Sequence, residues 1–461
     1  MLLRPTQSLE ALASAVRAGE LRAQALVEEA VAAHETLGHR LNAYVEWGGE
    51  EALRQAKRID QRVASGDDPG PLAGIPVSVK DLYGVEGFRT RAGTPAELPG
   101  AWETSGPFIA GLAEAGAVFM GKTHTVEMAF GGVGINPHRG TPVNPWDASK
   151  HRVPGGSSSG AGVSLWEGSA LVALGTDTGG SIRIPASATG VAGHKTTAGR
   201  WSTEGVVPLS QTLDTVGALT RTVLDSAYFF SAVDGTTVPE CLIGQLRIGV
   251  PIETASWSAS QEDVARVVAD AVEALRTSGA TVIEVDAPEL DQATEAYMTS
   301  GIAAAECAAF LRRSLPSVHA SLDPTVGARL SSALDMKAAD YLDALARRKA
   351  LAQLMVTRFE DVDLLVSPTL PMTPPTVSSL AHLEDYFQAN RRMLSNTCPA
   401  SYLGLCALSL PVGLDDCGMP VGMQLMAPGG LDPSLLGWGM AIEGTLGTAT
   451  TLLGTPGRTP P

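Results

Sequence analysis

Cysteine is scarce in this chain. There are five in 461 residues, at Cys241, Cys307, Cys398, Cys406 and Cys417. The number is odd and no two form a Cys-x-x-Cys pair, which excludes the common zinc and dithiol signatures and fits reduced thiols. Histidine is thin as well: eight residues, none in a His-Glu-x-x-His pattern, so no metal or other cofactor is expected. No run of about 18 apolar residues occurs, so no membrane span is expected. The opening Met1-Leu2-Leu3-Arg4-Pro5 lacks the apolar core of a signal peptide, and a cytoplasmic location follows as the expectation. Positive charge is also short, with 33 Lys and Arg against 49 Asp and Glu and a net charge of −16. That balance argues against nucleic acid or an anionic membrane as the main partner.

What is present is an ordinary globular composition, 44% hydrophobic and 18% charged. Length alone would suggest about three domains, a prior that large α/β enzymes often break. Three segments rich in Ala, Leu, Glu and Arg predict helices: Ser8 (as N-cap) to Arg17, Arg22 to Leu37, and Glu50 to Ala64. Residues 1–66 thus read as a helical layer without strands of its own, followed by a catalytic core over 67–430 and a C-terminal helix and tail over 431–461. Within the core, short apolar β-branched runs alternate with helical ones. Strands are predicted at Ile75–Lys80, Ala117–Met120, Ala170–Leu174, Leu246–Val250, Thr281–Val285, Asp363–Val366, Ala407–Leu410 and Val421–Leu425. Helices are predicted near Pro107–Ala115, Arg221–Ala232, Glu262–Thr277 and Leu383–Asn396. A mainly helical stretch over Glu289–Glu360 breaks at Pro316 and Pro324, and the tail Gly454–Pro461 reads as frayed. The alternation implies one large α/β domain with a central mixed sheet covered by helices.

Two motifs mislead. Gly116-Ala117-Val118-Phe119-Met120-Gly121-Lys122-Thr123 fits the phosphate-loop pattern, but its four intervening residues are an apolar strand and not an amide-lined loop. Lys122 is therefore assigned a structural place at a strand end. Gly156-Ser157-Ser158-Ser159-Gly160 fits the nucleophile elbow, yet the residues upstream, Asp147 to Arg152, are polar where a buried strand is needed.

Ser181 has the context that Ser158 lacks. The strand Ala170–Leu174 feeds Thr176-Asp177-Thr178-Gly179-Gly180-Ser181, where successive amides can converge beside a hydroxyl. Acyl transfer needs such donors for its oxyanion; a plain strand-to-helix turn would have the same pattern. A serine also needs a base. Lys80 ends a buried strand, and burial lowers a lysine pKa from about 10.4 by up to roughly 3–5 pH units. The bland alternative is a lysine paired with Asp81.

At this point the chain resembles the amidase signature family of serine amidohydrolases, over roughly Ser8 to Pro428. The resemblance rests on Gly74-Ile75-Pro76-Val77-Ser78-Val79-Lys80-Asp81, Ala115–Thr123, Asn144-Pro145-Trp146, Gly155-Gly156-Ser157-Ser158, and Gly175 through Ala186. Leu408–Pro411 and Gly418–Leu425 also match. The resemblance implies a Ser-Ser-Lys triad. Ser181 matches the acylated nucleophile, Lys80 the general base, and Ser157 the bridging serine behind a cis peptide from Gly156. The spacing, 181 − 157 = 24, suits the family pattern. Thr178, Gly179, Gly180 and Ser181 would supply oxyanion amides, Ala129 and Phe130 would line the pocket, and Ser158 is placed with the substrate-binding group. Asp177 and Arg183 are taken as loop braces. Three positions depart from the commoner pattern: Ser159 for glycine, Thr196 for proline, and His124 for asparagine, the last read as a structural hydrogen-bonding residue.

The implied activity is hydrolysis of a small-molecule amide, or a urea- or carbamate-like C–N bond, through an acyl-enzyme. One alternative is the glutaminase subunit of an amidotransferase acting on charged tRNA, which works beside partner chains and needs a cation for the glutamine carboxylate. Another is a catalytically silent scaffold, which the intact Lys80, Ser157 and Ser181 argue against. The family resemblance leaves a homodimer open. Substrate choice is expected within Gly301–Asn396, and Met298, Met336, Tyr341, Tyr386 and Phe387 read as core more readily than as pocket.

Overall fold

A computed structural model describes residues 3–147, 149–331 and 333–456. The end of the tail expected to fray lies outside the described residues. Local chemistry starts the helices where the sequence predicts them. The Ser8 side chain accepts from the amide of Ala11 to cap helix Leu9–Arg17, and Thr222 does the same for helix Val223–Asp234 through Asp225. Helix Ala23–Leu41 is capped from a distance: both Asp60 carboxylate oxygens accept from the amides of Ala23 and Gln24, at 2.7 and 3.1 Å. The predicted breaks within the helical stretch occur at prolines that open the next helices, Pro316–Ala320 and Pro324–Ser331.

Among the described residues, eleven strands form one sheet. They are β1 (Tyr44–Trp47), β2 (Pro76–Lys80), β3 (Val118–Thr123), β4 (Val172–Asp177), β5 (Ala192–Lys195), β6 (Thr215–Thr220), β7 (Arg247–Val250), β8 (Thr281–Glu284), β9 (Leu364–Pro368), β10 (Cys406–Leu414) and β11 (Pro420–Ala427). Their order is β1-β3-β2-β4-β6-β5-β10-β11-β9-β7-β8. The sheet is mixed: β3-β2-β4 and β9-β7-β8 run parallel, and the ladders between and beyond them are antiparallel.

Three strands differ from the sequence expectation. The N-terminal layer contributes β1, which pairs antiparallel with β3 at the sheet edge. Strands β5 and β6 were not anticipated. Ala192-Gly193-His194-Lys195 and Thr215-Val216-Gly217-Ala218-Leu219-Thr220 are buried on both faces, so the two-residue alternation that marks a half-exposed strand is missing.

The site lies where this architecture concentrates burial. Helices Ala161–Glu167 and Arg183–Thr189 pack together over β4 through Leu165, Trp166, Ala173, Ile182 and Ala186. The N-terminal layer reaches the same region: the amide of His124 donates to Ala43 O at 3.0 Å, and that of Gly160 to His124 O at 3.1 Å. A methyl group on Gly160 would stand 2.1 Å from Ala43 O. Gly160→Ala is therefore expected to destabilise the fold by about 1–3 kcal/mol through overpacking, read as a lower midpoint in chemical denaturation; an unchanged midpoint would show that this contact is not tight.

Candidate active site

Parallel pairing of β2 with β4, with Val79 opposite Leu174, brings the carboxyl ends of both strands together. Lys80 ends β2 and Thr176 stands near the end of β4. The Lys80 Nζ donates to Ser157 Oγ at 2.7 Å and to Thr176 Oγ1 at 2.8 Å. The side chain is fully buried. Burial pulls its pKa down to about 7, with Asp214 and Asp177 acting in the opposite direction.

Asp81 does not pair with Lys80. Adjacent residues of an extended chain point to opposite sides, and Asp81 instead meets Lys122, Nζ to Oδ1 3.4 Å. Lys122 also donates to Tyr83 O and Thr90 Oγ1 at 2.7 and 2.9 Å. This structural role is what the failed phosphate-loop context indicates.

Ser157 follows a cis peptide bond from Gly156. Its carbonyl accepts from the amide of Val126 at 3.1 Å. Ser181 sits in the turn between β4 and helix Arg183–Thr189, and Asp177 organises that turn. Its Oδ1 accepts from the amide of Gly180 at 2.7 Å and its Oδ2 from that of Ile182 at 3.1 Å. The Arg183 guanidinium grips both oxygens, Nη2 to Oδ1 at 2.9 Å and Nε to Oδ2 at 3.1 Å. Burial would raise the Asp177 pKa; Arg183, Lys195 and the Ile182 amide outweigh it and hold the group at about 2. Arg183 continues to Thr397 O, Ser401 Oγ and the Gln424 side chain. The reading of Asp177 and Arg183 as braces matches this geometry.

Two of the expected binding residues take other places. Gly180 was expected among the oxyanion donors, but its amide already donates to Asp177. Its φ of +139° and the 2.1 Å that would separate a Cβ from Thr397 Oγ1 explain the glycine. Ser158 was placed with the substrate-binding group. It is buried, and its Oγ donates to Ser181 O at 2.5 Å, so it anchors the main chain of Ser181. Among the described residues, the amides of Gly179 and Ser181 meet no acceptor. Likewise no hydrogen bond joins the hydroxyls of Ser157 and Ser181; such contacts are often loose before substrate binds.

Ser181 opens onto a cavity of about 460 Å³. Ala129, Phe130, Thr178 and Gly179 line it, as the family resemblance implies. Met298 and Phe387 line it too, where core was the preferred reading. Met336 and Tyr341 border a different cavity, and Tyr386 is buried beside Phe387. His124 stays out of the cavity, its Nε2 3.3 Å from Asn42 Oδ1.

The sequence reading missed three residues near this centre. Thr176 is the second hydroxyl on Lys80. Asp214 accepts from Thr178 Oγ1 at 2.6 Å and from the amides of Leu209 and Ser210, and burial raises its pKa to about 6. Tyr297 lines the cavity with its hydroxyl against Gly179, where a Cβ would stand 2.1 Å away. Thr176 lies in the Gly175–Ala186 motif, near the end of β4; Asp214 and Tyr297 carry no local signal.

The family model named Amidase matches residues 25–436. The chain is 46% identical over 458 residues to the 2-amino-5-chloromuconic acid deaminase of Comamonas testosteroni, covering 97% of this chain and 98% of that one. It is 32% identical over 480 residues to one of the subunits of the glutamyl-tRNA(Gln) amidotransferase of Streptomyces coelicolor, covering 94% of each. A crystal structure of an amidase superposes with a TM-score of 0.86 at 34% identity, covering 96% of this chain and all of that one.

Removing one partner of a buried ion pair leaves the other uncompensated, at a cost of roughly 3–5 kcal/mol. Asp177→Ala is expected to destabilise the protein by about that amount, measured by denaturant titration. A loss below about 1 kcal/mol would mean that Arg183 is satisfied without Asp177.

Proposed function

The chain belongs to the amidase family and hydrolyses small-molecule amides, and on that premise we propose that Lys80, Ser157 and Ser181 perform the reaction through an acyl-enzyme. The observation that carries this assignment is the buried amine of Lys80, 2.7 Å from Ser157 Oγ and poised near pH 7. A general base works best with a pKa close to the operating pH.

In the proposed sequence, neutral Lys80 takes the Ser157 hydroxyl proton while Ser157 takes that of Ser181. A small rotation of the two hydroxyls forms the missing bond between them. Ser181 Oγ attacks the carbonyl carbon, and negative charge gathers on the carbonyl oxygen. The amides of Gly179 and Ser181 face that charge as preorganised donors. As the C–N bond breaks, the proton runs back through Ser157 to the leaving nitrogen. Water then attacks the ester by the same relay and frees Ser181. Thr176 holds Lys80 in line from the other side, and Asp214 fixes Thr178 at the cavity wall while its carboxylate favours the ammonium form of Lys80.

The Streptomyces relative keeps glutamine among the substrates to be tried, and the Comamonas relative, named a deaminase, makes ammonia the useful readout. Lys80→Ala is expected to lower kcat/KM for ammonia release about 10²–10⁴-fold. A rate unchanged in that variant would sink the relay. A fluorophosphonate should label Ser181, and Ser181→Ala should abolish the label.

The pH profile gives a separate check. The base is active when neutral, so kcat/KM should rise with pH and level off above about 7, falling about tenfold per pH unit below. Asp214 raises the lysine pKa, so Asp214→Asn should move this limb to lower pH. Movement to higher pH, or none, would remove Asp214 from the tuning of Lys80.

A further inference from the structure

We propose that helix Ala338–Val356 is the contact surface of a homodimer, packed antiparallel on the same helix of a second copy with Ala346 at the two-fold axis.

A surface helix ordinarily turns apolar residues inward and polar ones outward. This one is apolar on both sides. Leu351 and Met355 are buried, with Tyr341, Ala344 and Leu345 packed beside them on the core. On the opposite side, at helical spacing, stand Ala339, Leu342, Ala346, Ala350 and Gln353, all exposed. Leu342 is 62% exposed, and Leu354 and Val356 follow at the end of the helix at 53% and 56%. Together with Leu334 these are four exposed large hydrophobic side chains within residues 334–356; the others among the described residues are scattered from Leu224 to Leu431. Scattered apolar residues on a surface are ordinary, whereas a concentrated set marks an interaction site.

The charges identify the occupant. Asp340 and Asp343 stand on the N-terminal side of Ala346, and Arg347, Arg348 and Lys349 on its C-terminal side. Asp340, Asp343 and Lys349 form no ion pair among the described residues, and Arg347 reaches the exposed Glu295 at 3.5 Å. Antiparallel pairing about Ala346 sets the acidic half of each helix on the basic half of the other, twice by symmetry. Asp343 and Arg347 share one flank of the helix, a turn apart, so Asp343 of each copy comes beside Arg347 of the other. A parallel pairing would set acid on acid and base on base.

The shape agrees with this register. A small side chain at the crossing point, Ala346, lets two helices approach closely. Ala338 and Val356 lie on one line of the helix, about five turns apart. The antiparallel arrangement therefore carries Val356 of each copy to the neighbourhood of Ala338 of the other. Ala338 borders a cavity of about 480 Å³ whose walls include Ala305, Ala308, Ala309, Ala333 and Met336. An exposed valine and an alanine-rich hollow thus meet at both ends of a self-complementary contact.

The test is the mass of the full chain in solution, by sedimentation. The wild type should sediment as a particle of twice the chain mass. Leu342→Glu puts a carboxylate into the apolar contact and should raise the dimer Kd at least ~10-fold. Its side chain is exposed in the single chain, so the fold should survive, checked by an unchanged far-ultraviolet dichroism spectrum. Two further variants test the register. Asp340→Lys with Asp343→Lys makes both halves of the helix basic, and Arg347→Glu with Lys349→Glu makes both predominantly acidic. Each alone should sediment as a monomer, and an equimolar mixture should restore the double-mass particle. A wild type that stays monomeric at its highest soluble concentration overturns the proposal and leaves this face to a different partner. A dimer that persists in Leu342→Glu and in both charge variants overturns it by placing the interface elsewhere, and a mixture that stays monomeric overturns the antiparallel pairing.

Discussion

The withdrawal of one lysine from water is the constraint on which the rest of the site depends. An ammonium in a fully buried position is costly, and Lys80 is relieved of that cost by giving up its proton near neutrality. This works only if no carboxylate sits directly on it. The nearest candidate by sequence, Asp81, is occupied by Lys122 on the other side of the strand, and Asp177 is occupied by Arg183. Two hydroxyls, Ser157 and Thr176, are left as the partners of Lys80. The site is basic because nearby acids are engaged elsewhere.

The same arrangement links distant parts of the chain. Asp177 and Arg183 lie six residues apart, but Arg183 reaches Thr397, Ser401 and Gln424, the last on β11. The turn bearing Ser181 is thus fixed to the far half of the sheet. On the other flank, Ser157 and Gly160 are tied through Val126 and His124 to β3 and the N-terminal layer. Helices between β8 and β10 supply Tyr297, Arg329 and Asn390, which face the same cavity.

Much of this was legible from sequence, for physical reasons that can be named. Ser181 and Lys80 draw notice because a glycine-rich turn and a lysine at a buried strand end are poor packing choices, whereas Ser157 is reached only through the family resemblance. The strands β2, β3 and β4 are visible as apolar runs of the right length. Strands β5 and β6 are not, since glycine, histidine and threonine at positions buried on both faces look like loop. Tyr297, Asn390 and Arg329 are illegible for a different reason. Each sits in an ordinary helix, and only tertiary packing decides which face meets the cavity. The misassigned donor, Gly180, shows the limit of motif reading: the loop contains the right amides, but Asp177 takes one of them.

The strands at the two rims of the sheet have a consequence of their own. β1 and β8 are each four residues long, and each carries a glutamate, Glu46 and Glu284. A growing sheet needs a long, bare row of amides and carbonyls on which another chain can dock. Here that row is brief at both limits, and on β1 the glutamate is engaged by Arg91. An eleven-stranded sheet of this size would otherwise be a template for its own copies; short margins make it terminate in itself.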